Sequence, residues 1–283
     1  MSQALRKAVA NASAAQEPAK TSETESPTRS QPIQGLPLDQ PLSPRHVHTL
    51  IVLSSLAYRF RALVADPVST MSTMLQEIIL SQIMYTIFGL PAAGAKEYRK
   101  PRPGEKKKAG AEDDGPNLAV VCYDVLCCPD QSPLEFVPGA NEYHSMQTSL
   151  VSFVLTIVSA AALHILLVLF GAPFLTHFPH TFLCALHISL LGLYPLFYTR
   201  GVSSRDWMEI LSARAPIDEV YGGLLGAGVG AWLGAVPIPL DWDREWQKWP
   251  VTIICGVYIG CMIGKVIGGT WAFGKRFGDS ESS

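Results

Sequence analysis

The chain has 283 residues, 48% apolar and only 16% charged, well under the roughly 25% charge of ordinary soluble domains. The formal charge of −2 says nothing about nucleic acid, and no basic patch interleaved with aromatics argues for it as a partner. Six cysteines in this length are ordinary usage and give no sign of a disulfide scaffold. Cys184, Cys255 and Cys261 fall in apolar runs, while Cys122, Cys127 and Cys128 lie in the polar middle segment and lack the second ligand pair that zinc needs, so free thiols are expected there.

Residues 1–45 carry Pro18, Pro27, Pro32, Pro37, Pro41 and Pro44 among Ser, Thr and Gln. Such a stretch buries too little surface to offset its ordering entropy, which predicts a disordered arm. It contains no cleavable signal peptide, so the first hydrophobic helix is expected to act as an uncleaved anchor.

A span takes roughly 20 mainly apolar residues, because lipid offers the backbone no hydrogen-bond partner. Six segments qualify: 46–65, 71–90, 151–170, 181–198, 220–238 and 251–273. The expected fold is therefore all-α, a polytopic membrane protein with six transmembrane helices. The first two spans fill 46–91, a flexible loop 92–145, a four-helix core 146–275 and a short tail 276–283. Arg59 and Arg61 interrupt the first span, and Gln76, Glu77 and Gln82 the second. Arg59 and Glu77 are equally distant from position 68, beside the turn at Asp66 and Pro67, so antiparallel helices bring them to similar depth. Either they pair, or the arginines reach out to the interface.

Loop 92–145 holds Lys96, Arg99, Lys100, Arg102, Lys106, Lys107 and Lys108 just past a helix end, as a topology signal or a contact for anionic headgroups. His164 and His187 lie symmetrically about residue 175 and are expected at comparable depth, in structural hydrogen bonds rather than as a proton or metal site. Reflection about residue 243 likewise brings Lys265 close to Glu219 and Asp218, for a buried pair or for a Lys stem that snorkels.

With the N-terminus inside, the cytosolic pieces carry five, seven, three and two Lys or Arg, and the opposite side only Arg244 and Lys248. That asymmetry follows the positive-inside rule when all six segments cross, and it puts both termini in the cytosol. Asn11-Ala12-Ser13, a glycosylation pattern, is then expected to stay unmodified.

Two sets of glycines recur every fourth residue: Gly222, Gly226, Gly230 and Gly234, then Gly256, Gly260, Gly264 and Gly268. Positions i and i+4 share a helix face, so each helix presents a bare groove of the kind that lets membrane helices approach closely. Either the two helices pack as a hairpin, or at least one groove receives a helix of another subunit. Between them, loop 237–250 is rich in Trp. Trp242, Trp246 and Trp249 fit an aromatic belt at the lumenal interface, with Asp241, Asp243, Arg244 and Glu245 beside them. Two carboxylates at that spacing, with no nearby histidine, suit an interfacial loop better than a metal or acid/base pair.

Asp241-Trp242-Asp243-Arg244 and Trp246-Gln247-Lys248-Trp249-Pro250, after Pro216-Ile217-Asp218-Glu219-Val220-Tyr221-Gly222-Gly223, closely resemble the phosphatidylinositol-glycan biosynthesis class F (PIG-F) family, and the long polar arm and middle loop are similar to its fungal branch. His187-Ile188-Ser189-Leu190-Leu191-Gly192-Leu193-Tyr194-Pro195 and Arg200-Gly201-Val202 also fit, over roughly residues 46–275. The resemblance implies an endoplasmic reticulum membrane protein of glycosylphosphatidylinositol (GPI) anchor synthesis. It implies an accessory subunit that stabilises large catalytic ethanolamine phosphate transferases among membrane lipids, with no cofactor, no nucleic acid and no catalytic residues of its own. The rival function is a small multi-pass lipid or small-molecule transporter, for which His164, His187 and Lys265 are the candidate intramembrane groups.

Overall fold

The computed structural model describes residues 30–35, 44–94, 140–240 and 242–277. Most of the arm, most of the loop 92–145, the end of the tail and Asp241 lie outside the described residues, and the expectations for them with it.

Helix α1 (Pro44–Ala65) turns at Asp66 into α2 (Pro67–Gly89). The turn is built locally: the Asp66 carboxylate accepts the Ser69 N–H at 3.3 Å and Pro67 occupies the first helical position, where its missing N–H costs nothing. Helix α3 (Ala140–Leu169) begins inside the stretch that composition assigns to the loop, since helical hydrogen bonding continues past the apolar run. It ends at Gly171, whose φ of 100° lets Gly171 and Ala172 donate back to the Val168 and Leu167 carbonyls at 3.0 and 2.9 Å, closing the helix end.

Helix α4 (Phe178–Arg200) contains a wider π turn at Ser189–Leu193. A short helix α5 (Ser204–Leu211), which the hydrophobic pattern does not signal, precedes α6 (Glu219–Ala235). A 3-10 turn at Glu245–Gln247 leads to α7 (Val251–Gly269). The last helix stops four residues after Lys265, earlier than the apolar run to 273 predicts, because 270–274 form turns around Gly274 at φ 74°.

The described residues are helical with no strand. Helices α6 and α7 are the most intimately packed pair, α1 pairs with α2, and α3 lies on α4. Helix α4 is central, with 78% of its apolar window buried against 22% for α3. By length and composition α1, α3, α4 and α7 can cross a membrane. Helix α2 has 23 residues but is diluted by Gln76, Glu77, Ser81 and Gln82, and α6 has only 17 residues.

Side-chain contacts show which helix ends lie together. Tyr85, late in α2, meets Glu219 at the start of α6. Lys265, late in α7, meets His48, early in α1. Ser149, early in α3, meets Tyr194, late in α4. One end of the bundle thus gathers the starts of α1, α3 and α6 and the finishes of α2, α4 and α7.

Candidate functional site

The glycine repeats meet each other. A Cβ on Gly222, Gly226, Gly230 or Gly234 would fall on the backbone carbonyl of Gly264, Gly260, Gly256 or Thr252, and Cβ atoms on Gly256, Gly260, Gly264 and Gly268 would fall on those of Gly230, Gly226, Gly222 and Asp218. Backbone lies against backbone along the length of both helices, an approach that leaves no room even for alanine. Of the two expectations the structure shows the hairpin. The alternative, a groove open to a helix of another subunit, does not hold here because each groove is filled by the opposite helix.

Where this hairpin meets α1, α2 and α4, seven charged or polar side chains form a knot, buried except for the half-exposed Arg45. Asp218 caps α6, accepting the Tyr221 N–H on Oδ1 at 2.8 Å, while its Oδ2 takes the Arg200 guanidinium at 2.6 Å. Both partners of that ion pair are almost fully buried. The arm reaches the same carboxylate, since Ile33 donates its backbone N–H to Oδ2 at 3.1 Å. The next residue, Glu219, accepts from the Tyr85 hydroxyl at 2.8 Å and lies 3.6 Å from Arg45 Nε and 3.8 Å from Lys265 Nζ. Lys265 also contacts His48 Nδ1 at 3.0 Å and sits 3.5 Å from the centre of the Tyr85 ring, on which His48 stacks at 4.7 Å. A buried ammonium is costly in isolation; here an acid, a ring face and an imidazole nitrogen share it.

Beside the knot, α5 is tied down by Trp207 Nε1, which donates to the Gly201 carbonyl at 2.9 Å, and by the Tyr221 hydroxyl, which donates to the Ile210 carbonyl at 3.1 Å. Burial pushes the Asp206 carboxyl above its usual range against the opposing pull of the Arg200 guanidinium. Backbone bonds between Ile217 and the 274–275 turn, at 2.7 and 2.8 Å, hold the two ends of the hairpin together.

Arg59 and Glu77 form an ion pair between α1 and α2, and Ser55 donates to the second carboxylate oxygen at 2.6 Å. Arg61 is exposed. The two histidines are not brought together. His187 bonds the Leu183 carbonyl through Nδ1 at 2.8 Å and lies near Tyr258. His164 sits among Phe174, Phe178 and Phe182, with neither ring nitrogen hydrogen-bonded. In the π turn of α4, the Leu190 and Leu191 carbonyls accept from Gln82 Nε2 at 2.8 Å and Cys261 Sγ at 3.6 Å. The wider turn thereby serves side chains of α2 and α7.

In the Trp loop, Trp242 and Trp246 pack edge to face at 5.9 Å and Trp249 donates to the Thr181 hydroxyl at 3.2 Å. Gln247 closes the loop onto the Pro237 and Leu240 carbonyls at 2.8 and 2.7 Å and accepts the Arg244 N–H at 2.9 Å. Glu245 pairs with Lys248. Asp243 and Arg244 are exposed, and Asp241 lies outside the described residues. Among the described residues no three His, Cys, Asp or Glu side chains cluster as metal ligands.

Sequence reasoning places Glu219 and Lys265 together but does not single out Arg45, His48, Tyr85 or Arg200. The usable signal is Asp218 immediately before a glycine-rich apolar run, an N-cap position, which marks a carboxylate fixed at a helix start.

The family model described as "GPI biosynthesis protein family Pig-F" matches residues 47–269. The "Glycosylphosphatidylinositol anchor biosynthesis protein 11" of Neurospora crassa is 47% identical over 236 residues, covering 82% of this chain and 76% of the relative. The protein of the same name in Aspergillus fumigatus is 38% identical over 86% of this chain and 84% of its own length. The human "GPI ethanolamine phosphate transferase, stabilizing subunit" is 34% identical over 42% of this chain and 57% of that protein. No solved structure matches.

Proposed function

The chain belongs to the Pig-F family of GPI biosynthesis proteins, and from that membership we propose that it is a non-catalytic subunit that stabilises ethanolamine phosphate transferases in GPI-anchor synthesis. The observation that carries this reading is the similarity to relatives named as the stabilizing subunit in human and mouse. The architecture supports it: the most distinctive sequence feature, the paired glycine faces, makes a rigid hairpin, and the charged groups tie helices to one another. Large apolar side chains remain outward on α1, α2 and α3, a surface for lipid and for the helices of a catalytic partner.

In this reading the chain crosses the endoplasmic reticulum membrane six times with both termini cytosolic. The alternation of helix ends supports six passes, and α6, at about 26 Å for its length, comes near the ~30 Å of the hydrocarbon core. The knot then lies on the cytosolic side and the Trp loop in the lumenal interface. The test is to tag the chain, solubilise membranes, and identify what copurifies, with transferase abundance measured after depletion of the chain. A large transferase that copurifies and is lost on depletion is the expected result; unchanged abundance with no copurification would overturn the proposal.

A further inference from the structure

Helix α5 lies across the end of the bundle at which α4 and α7 finish. It starts at Ser204, shortly after α4 stops at Arg200, and its last turn is held where the Ile210 carbonyl accepts from the Tyr221 hydroxyl at 3.1 Å, in the first turn of α6. Its eight residues make about 12 Å of helix, close to the ~8–10 Å between the axes of packed neighbours. The helix thus bridges the finish of α4 and the start of α6 instead of running beside them. At 3.6 residues per turn its four large apolar residues, Trp207, Met208, Ile210 and Leu211, share one side, and Arg205, Asp206 and Glu209 take the other.

The fold uses only half of that apolar side. Ile210 is buried and Trp207 is half-buried against Phe197, whereas Met208 and Leu211 are 69% and 82% exposed. The turn after α7 joins the same surface, because Arg276 pairs with Glu209 and donates to the Arg214 carbonyl at 2.8 Å. In that turn Trp271 and Phe277 are 76% and 56% exposed, and Lys275 Nζ stands 4.0 Å from the centre of the Trp271 ring. Among the described residues of 204–214 and 270–277 the exposed charges, Arg205, Arg214 and Lys275, are all basic, while Asp206 and Glu209 are half-buried. Helices α4 and α7 are long and apolar enough to cross a membrane, and this surface begins within a few residues of their finishes, at the boundary between hydrocarbon and water. Amphipathic helices lie in that layer with the apolar side toward the acyl chains, tryptophan is enriched there, and basic side chains are drawn to anionic headgroups. Water alone would leave the large apolar side chains hydrated, and uncharged lipid would leave the basic ones without counter-charge.

We propose that α5 and the 270–277 turn form a site for anionic phospholipid in the leaflet at which α4 and α7 finish. Met208 and Leu211 insert among the upper acyl chains, Trp271 lies at the headgroup boundary, and Arg214 and Lys275 face the anionic headgroup. The site is independent of the subunit role and rests only on α4 and α7 crossing the membrane.

The test uses the full chain in phosphatidylcholine nanodiscs that carry a trace of photoactivatable phosphatidylserine or phosphatidylcholine, each with its reactive group at the top of an acyl chain. A water-soluble carbene reagent is applied in parallel, and labelled residues are mapped by mass spectrometry. Val266 and Ile267, outward on α7, report whether that helix lies in lipid; no lipid label there would remove the crossing and the site with it. Met208 and Leu211 are expected to be labelled from lipid, to be protected from the soluble reagent, and to take more label from phosphatidylserine than from phosphatidylcholine. Arg214→Gln and Lys275→Gln are each expected to lower that preference by about fivefold, the contribution of one basic side chain at an anionic surface, while an unchanged label at Val266 shows that the bundle is folded. Labelling of Met208 and Leu211 by the soluble reagent alone, with Val266 labelled from lipid, would place the face in water, as for a protein dock left empty, and would overturn the proposal. Equal labelling by the two lipids, or a preference that survives both substitutions together, would do the same.

Discussion

The carbonyl oxygen of Gly230 occupies the space that a Cβ on Gly256 would take, and the Gly256 carbonyl occupies the space of a Cβ on Gly230. Neither side of this contact can give way without separating the backbones of α6 and α7, because the obstructing atoms are main chain. Gly230→Ala and Gly256→Ala are therefore each expected to destabilise the subunit by about 1–3 kcal/mol, the cost of overpacking, and Leu at either site by more. Val229→Leu and Ile263→Leu, on outward faces, are expected to change little. Thermal unfolding in detergent, followed by size-exclusion chromatography, measures this. Equal midpoints for the glycine and control variants would contradict the backbone contact.

Asp218 serves both as helix cap and as counter-ion. Asp218→Ala removes an N-cap worth about 1 kcal/mol and leaves the Arg200 guanidinium buried without its partner, a loss of about 3–5 kcal/mol when one member of a buried pair is deleted. Asp218→Asn keeps capping ability but not the charge, and is expected to fall between the two. Unfolding midpoints for the three proteins check that order, and an Asp218→Ala protein as stable as the parent would rule out the ion pair as a support of the fold.

Lys265 is held by Glu219, His48 and the Tyr85 ring together. Lys265→Met is expected to lower stability, and adding Glu219→Gln is expected to return part of the loss, because the acid is then no longer left charged without its ammonium. A double variant no better than the worse single one would show that the two residues do not act as a pair.

For Arg59 and Glu77, charge reversal at one site sets like charges side by side between α1 and α2. Arg59→Glu and Glu77→Arg are each expected to reduce the amount of folded protein in membranes. The double reversal is expected to recover part of it, since Ser55 and Thr73, which contact the present pair, are not re-optimised. Membrane abundance by immunoblot is the measurement, and absence of any recovery would argue against coupling.

His164 is the reverse case, a buried ring without a hydrogen bond among three phenylalanines. His164→Phe removes an unsatisfied polar group and is expected to stabilise the protein by about 1 kcal/mol. Marked loss of stability or of partner recovery would point to a role for the imidazole beyond packing.

Much of the architecture is legible in the chain because its signals are local. Apolar runs near 20 residues mark helices, Asp66-Pro67 marks the turn of the first hairpin, and glycines at every fourth position mark bare faces. The signals blur at helix ends: α3 begins at Ala140 and α7 stops at Gly269, since hydrogen bonding and turn formation, not hydropathy, set those limits. The π turn at Ser189–Leu193 and the short helix α5 leave no clear periodic trace.

By itself the sequence determined the helical class, the charge asymmetry between alternate connections, and two glycine grooves whose spacing keeps them on one face each. The tertiary structure decided what fills those grooves, because spacing fixes a face but not its neighbour, and here each backbone fills the other's groove. It also decided the knot. Lys265 and His48 are 217 positions apart, and no local pattern encodes a meeting that depends on how α1, α2, α4, α6 and α7 close around one another. Reflection about a turn finds partners within one hairpin, as with Arg59 and Glu77. Burying Asp218 with Arg200 and Lys265 with His48 takes the packing of helices from different hairpins, where excluding water and lipid makes a charge left without its partner costly.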